Sequence, residues 1–153
     1  MAAGPFVVPD LAKLNLESLT NLLAATAANY RIALVASTWT PANSTDEVWA
    51  TASGNEIAGG NGYTTGGVAV TATLNQTTGT VKFTTTAAGW TASGTGIPAW
   101  RRAVLYYAGT LNGKVNPIVA HCLGDSTPAD VPLTTSGNTL LITPNASGVI
   151  TIT

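Results

Sequence analysis

Beyond Tyr30 the chain is patterned mostly with a period of two. Residues 30–38 (YRIALVAST) place Ile32, Leu34 and Ala36 on one side and Ala33 and Val35 on the other. Both faces are apolar, which is the pattern of a central strand covered from above and below. Residues 68–74 (VAVTATL) set Val68, Val70, Ala72 and Leu74 against Ala69, Thr71 and Thr73, and residues 81–85 (VKFTT) set Val81 and Phe83 against Lys82 and Thr84. Side chains alternate across a pleated strand, so each run predicts a strand with one buried face. Between them, residues 75–79 (NQTTG) read as a five-residue hairpin loop. Further strands are predicted at residues 103–108, 118–123, 139–143 and 149–153, separated by Gly, Asn and Pro clusters. About seven or more short strands at this spacing predict a mainly β protein: an antiparallel sandwich or barrel-like domain.

The N-terminal region departs from this pattern. Leu16, Leu19, Leu22, Leu23 and Ala27 recur at helical spacing, Asn15 is placed to cap, and residues 11–30 contain neither Gly nor Pro. One helix is predicted over about 15–29. Residues 1–14 read as an extended arm, with Pro5 and Pro9 bracketing the apolar run Phe6-Val7-Val8, and residues 15–153 as a single domain. The arm has two readings: a segment that reaches onto a neighbouring subunit, or a frayed terminus. The run is too short, too interrupted and too poor in basic residues for a signal peptide, so synthesis in the cytoplasm is expected. No stretch approaches the ~20 apolar residues of a membrane helix.

Composition adds one outlier. Of 153 residues, only six are Lys or Arg and seven Asp or Glu, 8% of the chain, with a net charge of -1, where about 25% is usual. Threonine, present 26 times, takes the place of charge beside 16 glycines. There is no basic field to hold nucleic acid or an anionic membrane, so neither is expected as a partner.

Candidate chemistry is thin. Cys122 is the sole cysteine and His121 the sole histidine. Gly124-Asp125-Ser126 matches the triplet around the nucleophile of one esterase family. That family keeps its base far downstream, whereas His121 precedes Ser126 and lies in a predicted strand. Cys122 and His121, as strand neighbours, face opposite sides. The acids Asp10, Glu17, Asp46, Glu47, Glu56, Asp125 and Asp130 form no distinctive pair. The glycine-rich stretch 59–67 lacks the Lys-Ser/Thr of a phosphate loop and leads into a strand, so its glycines are expected to supply positive φ angles. No catalytic, cofactor or metal residue is predicted. Trp39 and Trp90, adjoining strands, are expected in the core. Trp100-Arg101-Arg102 places two of the six basic residues beside an aromatic, which reads either as one Arg in solvent and one over the sheet, or as a contact with an acidic partner surface. Phe6, Val7, Trp100, Arg101 and Arg102 are the expected interface residues.

The order of segments resembles a known group. A covered strand ending in Thr38-Trp39-Thr40-Pro41 is followed by Glu56-Ile57, Gly62-Tyr63-Thr64-Thr65-Gly66-Gly67 and an alternating hairpin. Trp90-Thr91-Ala92, Arg102-Ala103-Val104-Leu105-Tyr106 and Pro117-Ile118-Val119-Ala120 then complete a resemblance to small all-β accessory structural proteins of tailed bacteriophages, covering residues 30–125. The Gly-Tyr-x-x-Gly-Gly segment is its most specific part. The N-terminal region and the Thr-rich tail from Leu133 depart from the group. The resemblance implies a non-enzymatic virion protein without cofactor, made in the host bacterial cytoplasm and located in the virion. The preferred role is a capsid decoration or cement subunit. Its partners would be itself, as a homo-oligomer with a trimer among the options, and virion proteins such as the major capsid protein. The alternatives are a tail- or fibre-associated module binding host glycans through exposed Trp and Tyr, and a small hydrolase using Ser126 and His121.

Overall fold

A computed structural model describes residues 4–9, 27–127 and 129–152. Its strands are, in chain order, β1 (Tyr30–Val35), β2 (Val68–Val70), β3 (Ala72–Thr77), β4 (Thr80–Thr85), β5 (Ala88–Thr91), β6 (Arg102–Tyr107), β7 (Thr110–Leu111), β8 (Lys114–Val115), β9 (Ile118–Leu123), β10 (Thr139–Ile142) and β11 (Ile150–Ile152). All the strand pairings are antiparallel.

The two-faced apolar pattern of β1 places it inside a four-stranded sheet of order β2-β1-β6-β9, with every β1 side chain except Arg31 buried. One face of this sheet meets a second layer built from β11-β4-β3 and β10-β5. Tyr30, Ile32 and Leu34 from β1, Leu105 from β6 and Cys122 from β9 pack there with Phe83, Trp90, Ile142 and Val149. Tyr30 sits edge-on to Phe83 and Tyr107, with ring centroids at 5.4 and 5.3 Å, a favoured aromatic geometry. The opposite face, carrying Ala33, Val35, Val104, Tyr106 and Ile118, is covered by Trp39, Trp49 and Ala52. These come from the segment after β1, which contains the single-turn helix α1 (Ala50–Ser53). Trp49 stacks on Tyr106 at 4.9 Å. The architecture is therefore sandwich-like, mainly β, and does not close into a barrel.

Several boundaries move. The run 68–74 is not one strand: it breaks at Thr71, β2 joining the first sheet and β3 the second layer. The hairpin loop is two residues, not five. Thr78 and Gly79 take φ of 47° and 80°, positive at both central positions, so Asn75, Gln76 and Thr77 belong to β3. This turn geometry matches the twist of paired strands. The pattern missed β5, and it missed the β7–β8 hairpin, whose Asn112-Gly113 turn has φ of 50° and 75°. The predicted helix lies outside the described residues except at Ala27–Asn29, a 3-10 turn entering β1. The described part of the arm, residues 4–9, lies along β9, with Val7 bridging His121.

Candidate functional site

His121 is 3% exposed. Its Nε2 is 3.1 Å from Asn43 Oδ1, and the Trp39 ring stands perpendicular to it at 5.6 Å. Burial first, and then the Arg102 charge, push its pKa down to about 4, with Asp46 working the other way. The ring is neutral at pH 7, and the Asn43 oxygen assigns the proton to Nε2. Ser126 lies in an exposed turn after β9. There Asp125 Oδ1 accepts from Thr127 N (3.1 Å) and Thr127 Oγ1 (2.9 Å), so Gly-Asp-Ser is the start of an Asx turn. Cys122 is buried, and burial pushes its thiol up to about 12. It packs between the two layers, on the face of β9 opposite His121, as alternation requires. A protonated thiol in an apolar layer is a packing group, not a nucleophile. Among the described residues, no group of three or more His, Cys, Asp or Glu is placed to hold a metal, and no helix is long and apolar enough to cross a membrane.

The densest polar cluster is one the sequence reading missed. Tyr63 Oη donates to Glu56 Oε1 at 2.6 Å and accepts from Leu34 N at 3.0 Å. Gly66 N donates to the same carboxylate oxygen at 2.6 Å. Tyr106 Oη donates to Gly66 O at 2.7 Å, and Arg31 Nη1 to Gly67 O at 3.0 Å. Burial, then the bond to Glu56, raise the Tyr63 pKa, so the phenol stays a donor. Gly67, at φ +72°, runs so close to β1 that a Cβ would collide with Ile32 O. The Gly-Tyr-x-x-Gly-Gly segment is thus a clamp that fixes the entry to β2, tied down through Tyr63, Gly66 and Gly67. The signal for it was Glu56, standing shortly before a Tyr and a Gly-Gly pair.

Of the expected interface residues, Trp100 is overturned as a surface contact. It is 4% exposed and part of the main core, its ring close enough to Gly124 that a Cβ there would lie 2.6 Å from it. Arg101 pairs with Asp130 at 2.6 Å, Arg102 is half-buried, and Phe6 packs against its own chain's core. Val7 remains 39% exposed. Trp39 and Trp90 are core residues, as expected, and so are Trp49 and all four tyrosines. A glycan site made from exposed Trp and Tyr therefore has no aromatic platform.

What the described surface does present is threonine. Among the described residues nineteen threonines are exposed, against two comparably exposed ionisable side chains, Asp130 and Lys114 at 44% each; the other eight described Asp, Glu, Lys and Arg residues are half-buried. Most are engaged within the chain. Lys114 pairs with Glu47, Asp46 accepts from Ala42 N at 2.8 Å, and Glu56 and Arg31 serve the clamp. Large apolar side chains stand out beside them: Leu141 and Val115 at 60%, Leu133 at 47% and Leu74 at 40%. Comparison with protein-family models, with curated proteins and with solved structures finds no match for this chain.

Proposed function

We propose that this chain is a non-enzymatic structural subunit of a bacteriophage virion, a capsid decoration or cement protein that works by associating with copies of itself and bridging neighbouring capsid subunits. The observation that carries the reading is the surface of the described residues: nineteen exposed threonines, few exposed charged side chains and several prominent leucines and valines. Threonine bonds to water or to a partner's backbone without the desolvation penalty that burying a charge incurs. An exterior with few free charges puts little electrostatic repulsion between copies and so favours association. The phage assignment comes from the segment order around the clamp, and the clamp's role as a rigid support is compatible with a scaffold.

Purified shells with and without the protein test this reading. Shells lacking it are expected to rupture at lower temperature or osmotic pressure, with resistance restored on adding it back. Equal resistance would reject cementing.

A further inference from the structure

The arm segment 4–9 is held at one place. Gly4 N donates to Leu123 O at 3.0 Å, Val7 N to His121 O at 2.6 Å, and His121 N returns to Val7 O at 2.9 Å. It therefore lies along β9, the edge of the first sheet, with a single antiparallel bridge at Val7 and His121. The contact is specific: Gly4 and Pro9 are buried and Phe6 packs on the core. It is also self-limiting, because Pro5 and Pro9 have no N–H to extend the ladder.

Two features loosen the arm's tie to its own β9. Gly4, Pro5 and Phe6 line a groove of about 740 Å³ together with Leu140, Leu141 and Val149, so the arm borders open space there. Seventeen residues, 10–26, separate it from the 3-10 turn that enters β1. Such a length spans at most about 55–60 Å if fully extended, and about 35 Å with residues 15–26 in the predicted helix.

We infer that the arm is exchanged between copies: residues 4–9 of one chain occupy the β9 edge of a second copy of the same chain. The bonds are identical in either arrangement, so exchange sacrifices no contact of the arm, and its population rises as the local concentration of neighbouring copies approaches the effective concentration set by the arm's own tether. The inference rests on the association reading above and names the segment that performs it.

An ideal Cβ at Gly4 lies 3.2 Å from Leu123 Cβ, near the separation that a disulfide spans. The double variant Gly4→Cys/Leu123→Cys, in a Cys122→Ala background, is oxidised at a concentration where native mass shows oligomers and is then run on a denaturing, non-reducing gel. Exchange predicts covalently linked chains. Oligomers by native mass but only single chains on the gel would overturn the exchange while leaving self-association intact, whereas a monomer by native mass would overturn both. As a second variant, Val7→Pro removes the N–H that reaches His121. It is expected to weaken the oligomer by about three- to tenfold, the effect of losing roughly one net hydrogen bond, and an unchanged dissociation midpoint would also overturn the exchange.

Discussion

At the scale of single residues, two groups carry testable consequences. His121 is held neutral in the folded protein with its pKa pushed down to about 4, whereas an unfolded chain protonates it near 6.5. Above pH 6.5 neither state binds the proton and the full stability is present. As pH falls from 6.5 toward 4 the unfolded state gains the proton first, so stability is lost over that window. Urea midpoints are expected to fall between pH 7 and pH 4.5, and His121→Gln to flatten the fall; an equal slope in both proteins would contradict the assignment. Gly67 and Gly113 both have φ near +75°, but only Gly67 is pressed against another strand, while Gly113 has open space around it. Gly113→Ala is expected to cost about 1–3 kcal/mol, the penalty of the dihedral alone. Gly67→Ala should cost clearly more because Ile32 must also move, and equal losses by chemical denaturation would refute the close approach. Trp39 and Trp90 could be placed in the core from the sequence because each adjoins a run of alternating residues. Trp100 could not: its backbone bridges the distant Val131 and its ring joins the main core, a placement that no local pattern announces.

At the scale of elements, the long alternating runs of β1, β4, β6 and β9 were legible because one or two buried faces impose a period on the sequence. The break at Thr71 was not, since VAVTATL alternates without interruption while the backbone passes from one layer to the other; the switch is set by what each half packs against. The Asn112-Gly113 dipeptide is a hairpin signal that the strand pattern passed over, because the strands it joins are only two residues long. Thr78, by contrast, is a β-branched residue at φ 47°, where Asn or Gly is normally found, and a sequence rule would not put a turn there. Its strain gives a prediction of the opposite sign to most substitutions. Thr78→Asn is expected to stabilise by about 0.5–1 kcal/mol, raising the calorimetric Tm by roughly 1–4 °C. A lowered Tm would mean that the β3–β4 turn is not of this type. The clamp at Glu56, Tyr63 and Gly66 joins segments whose partners the sequence does not reveal, which is why the acid looked solitary there.

At the scale of the whole molecule, the low charge count read from composition becomes sharper in three dimensions. Among the described residues the few ionisable groups are largely spent on internal pairs and turn bonds, so the face they present carries little free charge. An interface made from such a face draws on threonine hydroxyls and apolar side chains, not on ion pairs, and should be nearly indifferent to salt, because screening acts on charges. The most direct test is sedimentation velocity of the isolated protein across a wide concentration range at low and at high salt. Concentration-dependent oligomers of similar strength in both salts are the expected result. A species that stays monomeric at every concentration would contradict the account.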